Sequence, residues 1–415
     1  MRARRILFFA EAVTLAHVAR PVALARGLAP SAYEPFIACD PRYQRFLERE
    51  PLSRLPLHSI SSEQFLQALA KGSPVYDAET LRAYVSEDLK LIHSVNPDLI
   101  VGDFRLSLSV SARLAGVPYA AISNAYWSPY YARKGYPLPV LPITRFLPLA
   151  VANTLFQLAR PLAFGLHCKP LNRVRRESGL SSLGSDLRRI YTDADQVLYA
   201  DSPQMFSTEN LPPHHRYLGP IIWSPLVAVP EWWDQLPPDR PIIYLTLGSS
   251  GQASLTQVVL DALADLPVTV VASMAGATLA PRRAANVYVA DYLPGADAAA
   301  RAKLVICNGG SPTSHQALGA GVPVLGIASN MDQFLNMQAI AEANAGTVMR
   351  ADRLHVPELR ERVLQLLASS ACSQSAASLA GAHHASDAPR RFAEFVDVAT
   401  GLQPSPQQTI AAQIH

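Results

Sequence analysis

The sequence predicts an α/β protein built from two parallel-sheet domains. Three observations predict it. The chain has 415 residues, a length that suits two domains better than one, and about half of it is apolar, so each domain can bury a core. Short apolar runs alternate with helical patterns in both halves, as at residues 5–10, 33–40 and 98–102, and again at 241–247, 268–272 and 304–307. Residues 302–336 compress that alternation into one stretch: strand, glycine turn, helix, strand, helix.

Charge and cysteine usage narrow the function classes. The net charge of +3 is mild and the arginines are scattered, which argues against nucleic acid as the main partner. Cys39, Cys168, Cys307 and Cys372 have no pairing or metal spacing and read as reduced, buried thiols of a cytoplasmic protein. Residues 6–10 follow a basic start, but Glu11 interrupts a run already too short for a signal peptide. They read as the first strand of a parallel sheet.

The informative stretch is the turn Asn308-Gly309-Gly310, followed by a helix from Ser311 to about residue 318. A turn without bulky side chains lets backbone N–H groups and a helix N-terminus face a ligand, which suits phosphate. Gly321-Val322-Pro323 and then Asp332-Gln333 with Asn336 follow at fixed intervals. With Thr313, these residues resemble the donor-binding signature of glycosyltransferase family 1, the nucleotide-sugar-dependent transferases of GT-B fold. Two positions depart from the family pattern. Asn308 stands where a histidine touches the diphosphate, and Gln316 stands where a glutamate holds the ribose hydroxyls. The resemblance implies a GT-B architecture, two Rossmann-like domains facing across a central cleft. It divides the chain into an acceptor-binding domain (1–223), a linker (224–240), a nucleotide-sugar-binding domain (241–384), a helix crossing back to the first domain (385–400) and a disordered tail (401–415).

Taken in order, residues 5–10 form a strand, and His17 stands at the mouth of the helix that follows. His17 resembles the family's general base, which deprotonates the acceptor hydroxyl, a task a neutral imidazole suits near pH 7. Residues 33–40 and 57–60 are expected as further strands. Asp103 ends the strand at 98–102 and matches the family's aspartate that orients the base; the other reading makes it the N-cap of a helix over 104–115. Asn124, Tyr126, Trp127, Tyr130 and Tyr131 form an aromatic loop expected to hold a lipophilic or aromatic acceptor, or else simply to pack over the domain. Residues 146–165 are apolar for almost a membrane span, but Pro148 and Pro161 interrupt them. They are expected as a buried helix lining the acceptor cleft. A minority reading makes them a peripheral contact with the inner face of the membrane, supported by Arg145, Arg173, Arg175 and Arg176.

In the second half, Gly248-Ser249-Ser250 is expected to face the diphosphate from the other side, and Tyr292 to stack on the base. No Asp-x-Asp motif stands in a convincing loop, so neither a metal nor a cofactor is expected beyond the co-substrate, a UDP- or dTDP-hexose. Helices are expected at 357–367, 371–382 and 388–399. The resemblance thus implies an inverting glycosyltransferase acting on a small-molecule hydroxyl, with Asp332 and Gln333 on the sugar. Two alternatives stay open: a degenerate protein of the same fold that binds without transfer, and a nucleotide-sugar epimerase.

Overall fold

The computed structural model describes residues 2–133, 135–248, 253–275, 284–384 and 386–401. Ser249, Ser250 and the expected tail beyond Gly401 lie outside the described residues. The first unit runs β1 (Arg4–Ala10), α1 (Ala16–Ala25), β2 (Tyr33–Cys39), β3 (Ser53–Pro56), α2 (Ser62–Lys71), α3 (Ala78–Val95), β4 (Leu99–Asp103), α4 (Leu108–Ala115), β5 (Tyr119–Ser123), α5 (Leu149–Glu177), α6 (Leu187–Tyr191), β6 (Gln196–Tyr199) and β7 (His215–Tyr217). The second runs β8 (Ile242–Thr246), α7 (Ala253–Leu263), β9 (Thr269–Ser273), β10 (Val287–Ala290), α8 (Gly295–Arg301), β11 (Leu304–Cys307), α9 (Ser311–Gly319), β12 (Val324–Ala328), α10 (Met331–Glu342) and β13 (Gly346–Arg350), then α11 (Val356–Ala368), α12 (Ser370–His384) and α13 (Ala388–Ala399).

Each unit holds one parallel sheet covered by helices on both faces. The orders are β3-β2-β1-β4-β5-β6-β7 and β10-β9-β8-β11-β12-β13. Alternate residues of β1 explain why its run is apolar throughout. Ile6 and Phe8 enter the layer shared with α1 and α13, while Leu7 and Phe9 enter the layer shared with α3 and α4. β11 divides in the same way, Leu304 and Ile306 to one side, Val305 and Cys307 to the other.

Both sheets reverse their strand order at one place, and ligands of open α/β sheets gather at such places. In the first sheet β1 and β4 lie side by side with Ala10 opposite Asp103. In the second, β8 and β11 lie side by side with Thr246 opposite Cys307. At these strand ends Asp103 closes β4, His17 opens α1 after β1, and Gly248 and Asn308 follow β8 and β11.

Three expectations need correction. The third strand is Ser53–Pro56, not 57–60; it is a largely exposed edge strand, so no apolar run marks it. The helix after β4 begins at Leu108 with Ser107 at its cap position, so Asp103 closes a strand and caps nothing. The apolar stretch becomes the 29-residue α5, which continues through Pro161 and Pro170. Its second half is held by Phe164, Cys168, Leu171 and Val174 in the core. Its first half projects, with Leu158 and Leu162 exposed, so the helix is not buried along its length.

α13 packs on α1 of the first unit, with Phe392 against Phe8 at 5.7 Å between ring centroids and Tyr33 hydrogen-bonded to Asp397. Gly27 permits this crossing, because a Cβ there would sit 2.4 Å from the carbonyl oxygen of Pro389.

Candidate active site

The two strand-end regions open on one cleft of about 550 Å³. From the first unit it takes His17, Arg20, Asp103, Phe104, Asn124 and Trp127; from the second, Gly248, Tyr292, Asn308, Gly310, Ser311, Thr313, Gln316, Asp332 and Gln333.

His17 lies in the first turn of α1, and its Nδ1 stands 2.8 Å from Asp103 Oδ1. Donation of Nδ1–H to the carboxylate leaves Nε2 as the ring's acceptor. Arg20, one helical turn further, grips the same carboxylate through Nε to Oδ2 at 2.7 Å and Nη2 to Oδ1 at 2.6 Å. Burial pulls the Arg20 guanidinium down, but the charge and hydrogen bonds of Asp103 outweigh it and leave it above its ordinary value. Phe104 stacks on the imidazole at 4.9 Å between centroids and 13° between planes. Its backbone has φ +59°, an uncommon value for a bulky residue, and this turn aims the ring back at His17.

Beneath the pair lies a buried ion cluster. Arg105 is fully buried and donates to Glu11 at 2.9 Å and to Asp88 at 3.0 Å, with its guanidinium 3.6 Å above the Tyr84 ring. Glu11 directly follows β1 and Arg105 closely follows β4, so this ion pair ties together the loops that carry His17 and Asp103.

Asp103 also starts a polar chain that crosses the cleft. Arg20 Nη1 donates to Asn124 Oδ1 at 2.8 Å, and Asn124 Nδ2 donates to Asp201 Oδ1 at 3.1 Å and to Ser311 Oγ at 3.4 Å. Asp201 accepts the Ala125 N–H at 2.6 Å and stands 3.6 Å from His315 Nε2 of α9. Burial pushes the Asp201 carboxyl up to about 7 against these hydrogen bonds. Burial, with the His383 and Arg20 charges, holds His315 well below its ordinary range.

On the wall from the second unit, Gly309 takes φ +83°, and a Cβ there would lie 2.7 Å from Met337 Cγ, so only glycine fits the turn. Asn336 Nδ2 pins the turn by donating to Gly309 O and Ser314 Oγ, both at 2.8 Å. Gly310 N donates to Asn308 Oδ1 at 3.0 Å. α9 then starts at Ser311 with no side-chain cap; Pro312 brings no N–H and the Ser314 N–H donates to Gly310 O at 3.2 Å, which leaves the Ser311 and Thr313 N–H groups as the first-turn donors of residues lining the cleft.

The remaining expected site residues divide. Trp127 lines the cleft and reaches across it, its indole Nε1 donating to Asp332 Oδ1 at 2.8 Å. Tyr126 is a core residue packed on Val197, Phe206 and Leu335, because the short turn after Asn124 points its ring inward. Tyr130 and Tyr131 border a separate depression with Pro129 and Arg133. Gln333 reaches the cleft, but its side-chain oxygen accepts the Ser329 and Asn330 N–H groups, closing a capping box at the start of α10. Gln316 Nε2 donates to the Trp223 carbonyl at 2.6 Å and to Ser224 Oγ at 3.4 Å, which ties α9 to the linker. The Tyr292 ring meets the edge of Phe46 at 4.9 Å and carries the Arg45 guanidinium over it at 4.6 Å.

Sequence reasoning missed Arg20, Phe104, Asp201 and the Glu11–Arg105 pair. Arg20 alone had a signal, since three residues after His17 places it on the same face of a helix. The others become neighbours only through the sheet.

Two facing parallel sheets with a cleft between their switch points define a GT-B architecture. The model for the erythromycin biosynthesis protein CIII-like C-terminal domain matches residues 257–398. A PGL/p-HBAD biosynthesis glycosyltransferase of Mycobacterium tuberculosis is 55% identical over 381 residues, covering 92% of this chain and 89% of that protein. A PGL/p-HBAD biosynthesis rhamnosyltransferase of Mycobacterium bovis is 54% identical over 381 residues, covering 92% and 84%. Among solved structures, the spinosyn rhamnosyltransferase SpnG shares the fold with a TM-score of 0.68 at 19% identity, over 95% of this chain and 100% of that one. SpnG has also been solved with thymidine diphosphate and with the spinosyn aglycone. The chain belongs to the family 1-type glycosyltransferases represented by the PGL/p-HBAD biosynthesis enzymes, and it is a glycosyltransferase.

Proposed function

We propose that this enzyme transfers a hexose, with inversion, from a nucleoside-diphosphate sugar to a hydroxyl of a lipophilic aromatic acceptor. The observation that carries the proposal is the His17–Asp103 pair opening on the same cleft as the uncapped N-terminus of α9. The acceptor oxygen attacks the anomeric carbon while its proton passes to His17 Nε2. The bond from that carbon to the diphosphate oxygen breaks, and the nucleoside diphosphate leaves with the electron pair. Asp103 orients the imidazole and favours its protonated form. The backbone N–H groups of Ser311 and Thr313 at the start of α9 oppose the charge that grows on the leaving oxygen. Alignment of the two substrates across the cleft supplies a further part of the rate.

A lipophilic acceptor is supported by the cleft wall, where Phe65, Phe104, Trp127, Leu141, Phe156 and Tyr191 extend the apolar surface away from His17. The names of the relatives point to the same acceptor class. A dTDP-sugar is favoured as donor over a UDP-sugar, because Gln316 offers no carboxylate to a ribose diol and its amide is engaged by the linker.

Calorimetric titration with dTDP-rhamnose, dTDP-glucose, UDP-glucose and UDP-N-acetylglucosamine tests the donor. Product analysis with a hydroxylated aryl lipid and the bound donor then tests the reaction. One donor should bind, and its sugar should appear on the acceptor with inverted anomeric configuration. Retained configuration, or binding of a donor that is never transferred, would overturn the proposal.

A further inference from the structure

The first half of α5 presents an apolar face to solvent and gathers most of the exposed large apolar side chains described in the first domain. Phe146 just before the helix is 82% exposed, Leu158 75% and Leu162 70%, and Val151, Leu155 and Leu166 are exposed with them. At 100° per residue Val151, Leu155, Leu158, Leu162 and Leu166 fall within an arc of about 80°, so they form one stripe. Continued along the helix, the same arc meets Lys169, Arg173 and Arg176, all exposed, and Arg145 is exposed before the helix begins. Between residues 135 and 176 the sequence contains six cations and no aspartate or glutamate. A stripe this long left open to solvent marks an interaction site.

We propose that this face docks on an anionic lipid surface. The stripe enters the interfacial layer, and Arg145 at one end and Lys169, Arg173 and Arg176 at the other meet the headgroups. The charge pattern decides against a second copy of the chain as occupant. Two such faces in contact would set mostly cations beside cations, since the one acid of α5 is Glu177 at its end, already engaged by Arg173 at 3.0 Å and Arg82 at 2.8 Å. Phe164, Cys168, Leu171 and Val174 fix the other end of the helix in the core, so the helix lies on the bilayer and does not cross it. Leu155 belongs both to the stripe and to the cleft wall, and Phe156, Ala159 and Ala163 continue that wall. Docking would therefore set the mouth of the cleft against lipid, where an apolar acceptor resides.

The test is vesicle flotation of the full chain, and it reads binding without any turnover, so it stands or falls apart from the catalytic proposal. Vesicles of phosphatidylglycerol mixed with phosphatidylcholine should carry the protein upward, and vesicles of phosphatidylcholine alone should carry much less. The variant Leu158→Glu with Leu162→Glu should lose flotation while keeping the wild-type melting temperature, since both side chains are exposed. Leu158→Trp should show a blue-shifted emission when the mixed vesicles are added. Absence of flotation by the wild type, equal flotation by the Glu variant, or a wild-type dimer that the Glu variant converts to monomer would each overturn the proposal.

Discussion

Arg20 holds Asp103 with two arms of its guanidinium, at 2.7 and 2.6 Å, and shares Oδ1 of that carboxylate with His17 Nδ1 at 2.8 Å. The carboxylate is therefore fixed before any substrate arrives. A buried charge with one partner removed is poorly compensated, so Arg20→Met should destabilise the protein by about 3–5 kcal/mol. Asp103→Asn alone should also cost stability, because it leaves Arg20 without its anion. The double variant should cost less than the two losses added together. A double-mutant cycle by denaturant unfolding checks this; additive losses would mean the pair is not coupled.

His17→Ala should lower kcat/KM by roughly 100- to 10,000-fold, the usual contribution of a positioned general base. The donor's Kd should stay the same, because His17 lies on the opposite wall of the cleft from the glycine turn. Steady-state kinetics beside calorimetry separates the two. Turnover near wild type would remove His17 from the chemistry.

Much of the fold was legible because parallel strands buried on both faces leave continuous apolar runs, as at Ile6–Ala10 and Leu304–Cys307. The edge strand Ser53–Pro56 was not legible, since exposure on its outer side leaves it polar and lacking any run. In the site, His17, Asp103 and the glycine turn could be read because their chemistry sits at strand ends in short motifs. Tyr126, Tyr130 and Tyr131 could not be sorted from Trp127, because a one-residue difference in a tight turn decides whether a ring faces core, surface or cleft. Gln333 and Gln316 do line the cleft, yet their amides cap α10 and hold the linker, contacts that exist only once the chain has folded.

Asp201 gives the protein a pH signature. Its carboxyl is pushed up to about 7 by burial, whereas in the unfolded chain an aspartate titrates near about 4. Between these values the folded state holds a proton that the unfolded state has lost. The contribution of Asp201 to stability is therefore full below about pH 4 and is lost as pH rises through about 7. His215 acts in the opposite sense, since burial lowers it to about 4 and its contribution grows as pH rises toward the ordinary histidine range. The total curve thus mixes the two, and the informative quantity is a difference. The stability of Asp201→Asn relative to wild type should rise across pH 5 to 7, a window set by the Asp201 shift. Melting curves of both proteins at several pH values check it; a constant difference would mean that Asp201 is ionised throughout.

Gln316 offers a test of what selects the nucleotide. Its Nε2 sits 2.6 Å from the Trp223 carbonyl, and a Cβ on Gly295 would lie 2.6 Å from its Oε1, so the side chain is closely packed between linker and α8. In Gln316→Glu the carboxylate has no N–H to donate, and it would face the carbonyl oxygen with like charge. It should rotate away and weaken the linker contact, with the loss of one hydrogen bond costing about 1–3 kcal/mol. The rotated carboxylate then becomes available to both hydroxyls of a ribose, and it gains nothing comparable from a deoxyribose. UDP-glucose affinity should improve by roughly tenfold relative to dTDP-glucose, about 1.4 kcal/mol, while the melting temperature falls. Calorimetric titration of both nucleotide sugars against both proteins reads the ratio. An unchanged ratio with a lowered melting temperature would assign Gln316 to the linker alone and leave the nucleotide to be read elsewhere in the cleft.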